Sequence, residues 1–215
     1  MSIPILYHCA DARSFRALWA LEELQIPYEL RLLAFPPRVR EPDYLKINPL
    51  GTIPFLIDGE TRMTESAAIV QYLATRHGGP LAVAPDDPAY GAWLNWLHHG
   101  EATLTFPQTL VLRYRRLEPP ERRNPQVADD YAKWFVARLR GADAALQNAE
   151  WLCAERFTAA DISVGYALLL AETLDLSERF SPTLAAYWAR LQAREGFQRA
   201  KAAQLAPGMA PDWQA

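Results

Sequence analysis

Half of the 215 residues are hydrophobic, enough apolar material for a sizeable core arranged as one large domain or two small ones. A formal net charge of −3, with acidic and basic residues interspersed, gives no attraction to nucleic acid or to an anionic membrane. The two cysteines, Cys9 and Cys153, are too few for a disulfide scaffold and fit a reduced compartment.

Residues 3–8 (IPILYH) form a short apolar run without helical period, which reads as a buried strand. The run is too short for the core of a signal peptide, and no segment approaches the ~20 apolar residues of a membrane span. The expected location is therefore the cytoplasm. Residues 13–24 (RSFRALWALEEL) place Phe15, Leu18 and Trp19 at helical spacing, and Pro27 ends that helix. Residues 28–33 (YELRLL) alternate as a half-buried strand does, so the chain opens β-α-β with a parallel pair. An irregular, proline-bearing stretch follows over 34–48. Residues 55–57 then read as a strand, Asp58-Gly59 as a hairpin turn and 61–64 as the returning strand. Residues 65–76 form a helix with Ile69, Tyr72 and Leu73 on one face, stopped by Gly78-Gly79-Pro80.

The expected boundaries are an α/β domain over 1–79, a proline-rich linker over 80–88, and an all-helical domain over 89–215. Within the last, 89–116 reads as one long helix bent near Pro107. Further helices are expected over 125–147, 159–172, 182–194 and 196–204. His98, His99 and Glu101 lack the i, i+4 histidine spacing that puts two imidazoles on one helical face, so no metal site is expected there. Trp93 and Trp96 fall at core spacing.

Pro54 stands directly before a strand, where a trans proline suits only the strand's first residue. A cis bond would turn the backbone of Ile53 outward, leaving its N–H and C=O to pair with an extended peptide. The plain alternative is an ordinary edge-strand proline. Glu65 and Ser66 open the helix after the hairpin. A helix start offers unpaired N–H groups and partial positive charge to a carboxylate. Ser66 would cap that helix, and Glu65 would accept from an amino group; the plain alternative is a simple helix cap.

The segment TIPFLIDGETRMTESAAIVQYL resembles the signature of the cytosolic, bacterial-type glutathione S-transferases: a cis-proline before the third strand, a hairpin, then Glu-Ser opening the third helix. The preceding NPLGTIP is similar to the family's Asn-Pro-x-Gly-x-(Val/Ile)-Pro. Downstream, FTAADI resembles the family's (Ser/Thr)-x-x-Asp capping box at the start of the core helix of the second domain. There Thr158 would cap while the Asp161 side chain reaches back, a structural role by its own physics. The two motifs, in matching domain order, span essentially the whole chain.

The resemblance implies a thioredoxin-like N-terminal domain followed by an all-α helical bundle. It implies glutathione as co-substrate, no metal, a homodimer, and conjugation of the glutathione thiolate to a small hydrophobic electrophile. Ile53, beside Pro54, would pair with the cysteinyl part of glutathione, Glu65 and Ser66 would bind the γ-glutamyl end, and Thr52 would contact the ligand. Arg38, Arg40 or Lys46 would meet the glycyl carboxylate, with Arg38 taken first. Phe106, Val111 and Tyr114 would line the second-substrate pocket, or else belong to the interhelical core.

The thiolate is the nucleophile, and a free thiol has a pKa of about 8.5, so the reaction needs an activating group. Many family members carry a serine after the first strand, where this chain has Asp11 or Ala12. Ser14 is the first candidate for a donor to the thiolate, with an N-cap as its alternative. Cys9 is the second, with a buried apolar role as its alternative. Tyr7 ranks last, and backbone N–H groups with Arg13 would supply electrostatics without any hydroxyl. Two other functions stay open: a non-catalytic binding or regulatory protein of this fold, and a glutathione-dependent isomerase, lyase or dehalogenase.

Overall fold

The computed structural model describes residues 3–205; residues 1–2 and 206–215, which the expected domain ranges include, lie outside the described residues. The first elements are β1 (Ile5–His8), α1 (Phe15–Glu23), β2 (Glu29–Leu32), the short α2 (Pro37–Arg40) and a 3-10 segment (Pro42–Lys46). They are followed by β3 (Phe55–Asp58), β4 (Thr61–Met63) and α3 (Ser66–His77). The later helices are α4 (Tyr90–His98), α5 (Phe106–Leu112), α6 (Pro125–Leu146), α7 (Ala159–Thr173), α8 (Pro182–Gln192) and α9 (Glu195–Ala203). Two compact units result, one ending at Gly79 and resuming at Ala193, the other spanning Pro80–Gln192.

The first unit is thioredoxin-like. Its sheet has the order β2-β1-β3-β4, with β1 parallel to β2 and β3 antiparallel to both its neighbours. Along β1 the period of two puts Leu6 and His8 in the interior, while Ile5 and Tyr7 stay half-buried. Leu6 pairs in register with Leu56, and both are wholly enclosed. Seven successive residues of α1, Phe15 to Leu21, are buried. That all-round burial follows from packing against α3 on one flank and α9 on another. Each enclosed Leu or Phe contributes about 1.5–3 kcal/mol relative to exposure.

The last helix departs from the expected 89–215 helical domain, because α9 groups with the first unit. Phe197 meets Trp19 edge-on at 5.0 Å and Phe15 at 5.4 Å. Arg194 forks onto Glu23 at 2.7 and 2.8 Å, and Arg199 reaches Glu22 at 3.0 Å. Gly196 has the backbone close to α1: a Cβ there would come within 2.5 Å of the Glu23 carboxyl carbon.

In the second unit the expected linker is built into the fold. Leu81 and Val83 are buried, and the Leu81 carbonyl accepts from Ala159 N–H at 2.9 Å and Trp93 Nε1 at 3.2 Å. The expected long helix is instead α4 and α5 joined by a π-helical stretch, His99–Thr105, with a second one, Arg113–Leu117, after α5. Pro107 has no N–H to give and its ring crowds the carbonyl four residues back, so the hydrogen-bond register shifts around it. Gly100 sits in the first π stretch, where a Cβ would lie 2.5 Å from the Ser163 backbone, so α7 packs directly on it. Ser163 Oγ donates to the Leu97 carbonyl at 2.6 Å.

The expected capping box opens α7. Thr158 Oγ1 accepts from Ala160 N–H at 3.2 Å, and Asp161 Oδ2 accepts from Thr158 N–H at 2.8 Å. Asp161 does more than cap: Oδ1 also accepts from Leu152 N–H at 3.1 Å and Tyr187 OH at 2.8 Å. Burial pushes its carboxyl up to about 6, against the pull of those donors. Among the described residues, no helix is long and apolar enough to cross a membrane.

Candidate functional site

The peptide bond between Ile53 and Pro54 is cis. The loop leading into it is braced from below. The Thr52 carbonyl accepts from Tyr44 OH at 2.7 Å and Asn48 Nδ2 at 2.9 Å, and Asn48 Oδ1 accepts from Leu50 N–H at 3.2 Å. Gly51 takes φ 60°, and a Cβ on it would lie 2.6 Å from Arg38 Cβ. Only glycine meets both demands at this position. Ile53 is half-buried, and its N–H and C=O bond to no other described residue. That leaves a donor and an acceptor of the kind an added strand uses.

Glu65 is the residue before α3, with extended backbone, an exposed side chain and no side-chain cap on the helix. This corrects the capping role expected of Ser66, which lies at the first helical position. Its buried hydroxyl accepts from Arg16 Nη1 at 3.1 Å. The N–H groups of Ala67 and Ala68 meet no partner among the described residues, so the positive end of α3 stays available to an anion.

The loop between β1 and α1 is the third wall. Tyr7 pairs in register with Phe55, so the chain just after β1 runs beside Ile53 and Pro54. Both catalytic candidates in this loop have other engagements. Ser14 is wholly enclosed; its Oγ donates to the Cys9 carbonyl and accepts from Cys9 N–H, each at 3.3 Å. It closes the loop rather than facing a ligand. Cys9 is 1% exposed, and burial, with the charge of Glu41, pushes its thiol up to about 12. A thiol so placed stays protonated at neutral pH and is no nucleophile. Tyr7 is half-buried against Tyr44 and Phe55, with ring centroids 5.3 and 6.1 Å away.

Of the three basic residues considered for a terminal carboxylate, Arg38 is the one whose stem lies on Gly51. Its guanidinium makes no hydrogen bond or ion pair with another described residue. Lys46 is paired with Asp43 at 2.7 Å in an exposed contact. In the second unit Val111 is wholly enclosed and belongs to the interhelical core, which corrects its placement in a pocket wall. Phe106 is 50% exposed and Tyr114 is half-buried under the Arg113 guanidinium. A cavity of about 360 Å³ lies along the α4 face between Leu94, Asn95, His98, His99, Ala102 and Thr103. His99 meets the Trp96 ring edge-on at 5.0 Å. Among the described residues no group of three or more side chains is arranged to hold a metal ion.

Sequence reasoning missed Arg16, Asn48, Tyr44, Lys201 and Gln204. Asn48 had a signal, an Asx residue just ahead of Pro49 and Gly51. Arg16, Lys201 on α9 and Gln204 just past its end had none, because their partners are distant in sequence.

The family model for the glutathione S-transferase N-terminal domain matches residues 6–81, which contain every wall just described. Glutathione S-transferase GstA of Escherichia coli O157:H7 is 31% identical over 171 residues, 75% of this chain and 78% of its own. Glutathione S-transferase GstB of Escherichia coli strain K12 is 29% identical over 191 residues, 86% of this chain and 90% of its own. The structure of glutathione transferase URE2P6 from Phanerochaete chrysosporium, in complex with oxidized glutathione, superposes with a TM-score of 0.81 at 26% identity. It covers 94% of this chain and 96% of its own. With a matching sheet, a cis-proline loop, an uncapped third helix and relatives aligned over most of their length, this chain belongs to the glutathione S-transferase family.

Proposed function

We propose that the first unit binds glutathione and presents its thiolate to a small hydrophobic electrophile, as a glutathione transferase acting in the cytoplasm. The observation that carries this is the unpartnered backbone of Ile53 beside the exposed Glu65 carboxylate and the uncapped start of α3. In this reading Ile53 N–H and C=O pair with the cysteinyl unit of the tripeptide. The γ-glutamyl carboxylate takes the Ala67 and Ala68 N–H groups, with Ser66 held in place beneath by Arg16. Glu65 accepts from the α-amino group, Thr52 borders the chain, and Arg38 takes the glycyl carboxylate. Phe106 and Tyr114 remain as apolar surface for the second substrate.

Activation of the thiol then falls to electrostatics rather than to a side-chain hydroxyl. The first two N–H groups of α1, on Phe15 and Arg16, bond back to the Ala12 and Arg13 carbonyls, so it is the positive end of the helix dipole that favours developing negative charge. A non-catalytic binding protein is the second reading, favoured by the engagement of Ser14 with Cys9 and by Asp11 or Ala12 standing where a serine is common in the family. Titration calorimetry with glutathione and conjugation of a chlorinated nitrobenzene separate the two. The transferase reading expects turnover, with Glu65→Ala lowering glutathione affinity tenfold or more, about 1.4 kcal/mol. Saturable binding without turnover across a broad electrophile panel favours the second reading. Absence of glutathione binding removes both.

We also propose a homodimer. Val39 at 65% and Leu50 at 64% exposure, with Leu45 and Ile47 nearby in sequence, leave apolar surface that a second copy would cover. Light scattering that reads only monomer at micromolar concentration overturns this.

A further inference from the structure

The helix that returns to the first unit brings a cation to the loop after β1. Asp11 sits there with φ 51°, and its carboxylate accepts from Lys201 Nζ at 2.7 and 2.9 Å and from Gln204 Nε2. Its N–H donates to Gln204 Oε1 at 3.0 Å, and the same oxygen lies 3.0 Å from His8 Nε2. The network fixes the Gln204 amide: the nitrogen faces the carboxylate and the oxygen accepts twice, so His8 donates from Nε2. Lys201 also stands 5.9 Å over the Phe15 ring, at the first turn of α1.

The geometry points to Lys201 as a positioning residue that neutralises Asp11 and so permits an anionic sulfur at the start of α1. This role rests on the glutathione reading above. Asp11 is a nearly enclosed carboxylate on the loop that would carry the thiolate, and a like charge there opposes thiolate formation. The other charged or titratable groups on the packed elements are Tyr7 and His8 on β1, Cys9 and Arg13 in the loop, Arg16, Glu22 and Glu23 on α1, Glu41 beyond α2, and Glu195 and Arg199 on α9, with Glu23 and Glu22 paired to Arg194 and Arg199. Burial holds His8 neutral, with its pKa at about 4, and Cys9 is protonated. Arg16 is already engaged by Ser66. Lys201 Nζ is in direct contact with the Asp11 carboxylate, and Gln204, the residue just past the same helix, accepts from the loop's Asp11 N–H.

The test titrates the ultraviolet absorbance of the bound glutathione thiolate against pH in the full chain. Lys201→Met is expected to raise the bound thiol's pKa by about one unit, a tenfold loss of thiolate at a given pH. Lys201→Arg is expected to retain the wild-type value. Lys201→Met combined with Asp11→Asn is expected to recover it, since the charge opposing the sulfur is then gone. Asp11→Asn alone, which leaves Lys201 uncompensated, is expected to lower it and serves if Lys201→Met does not fold. An unshifted titration in Lys201→Met or Asp11→Asn, or a double variant no better than the single, overturns the role. Failure of the wild-type chain to bind glutathione removes the parent reading instead, and this role with it.

Discussion

Arg16 Nη1 donates to Ser66 Oγ at 3.1 Å, tying the first turn of α1 to the first turn of α3 through a guanidinium with no exposed surface. A buried charge persists only where it is hydrogen-bonded, so this contact fixes the spacing between two walls of the proposed glutathione site. Arg16→Leu removes the donor and leaves the buried Ser66 hydroxyl short of it. We expect a loss of roughly 1–3 kcal/mol in urea unfolding, with weaker glutathione binding in the fraction that folds. A variant as stable as wild type with unchanged affinity sinks this account.

Asp161 accepts from two backbone N–H groups and two hydroxyls at the head of α7, all within the buried interior of the second unit. Loss of a helix cap alone costs about 0.5–2 kcal/mol. Here Asp161→Ala also orphans Leu152 N–H and Tyr187 OH, which raises the expected cost to roughly 2–4 kcal/mol. Thermal unfolding read against Thr158→Ala checks it, because Thr158→Ala removes the cap and one hydroxyl donor to Asp161 but leaves Leu152 N–H and Tyr187 OH satisfied, and costs less.

His8 is fully enclosed, and burial lowers its pKa from 6.5 to about 4. The unfolded chain therefore takes up a proton as pH falls below 6.5, while the folded chain resists until about 4. Stability from this group is whole above pH 6.5 and declines through the window down to about 4, by up to roughly 3 kcal/mol. His8→Asn is expected to flatten that part of the profile. Denaturation at pH 7 and pH 4.5, compared between wild type and variant, gives the difference; equal acid losses in both contradict it.

Cys9 is nearly inaccessible, with its thiol pushed up to about 12. Cys9→Ala is expected to keep conjugation activity within about twofold, since a protonated thiol takes no nucleophilic part. Iodoacetamide should label the native chain at Cys9 far more slowly than the urea-unfolded chain. Fast native labelling, or loss of most activity in Cys9→Ala, returns this cysteine to the catalytic candidates.

Arg38 carries a guanidinium without a partner among the described residues, on a stem resting against Gly51. Being exposed, Arg38→Ala should leave stability within about 0.5 kcal/mol. It should weaken glutathione binding by about fivefold to tenfold while leaving affinity for γ-glutamylcysteine, which lacks the glycyl carboxylate, unaltered. Equal losses for both ligands assign Arg38 elsewhere.

Local pattern determined a good part of this protein. The period of two in 28–33, the helical spacing of Phe15, Leu18 and Trp19, the Asp58-Gly59 turn and the Thr158–Asp161 box each depend on neighbours within a few residues. All of them lie in the sequence and all stand in the structure. For Pro54 and Glu65 local pattern left the plain readings open, and it was the family resemblance that pointed to a cis proline, which stands in the structure. What only the tertiary structure decided is where long-range contacts compete with local roles. Ser14 closes on Cys9 instead of facing a ligand, Ser66 answers to Arg16 instead of capping α3, and Val111 is sealed in a core. Most distant is α9: its amphipathic face says that it must be buried, but not against what. The choice fell to Trp19, Glu23 and Asp11, nearly two hundred residues away, because their shape and charge complete its own.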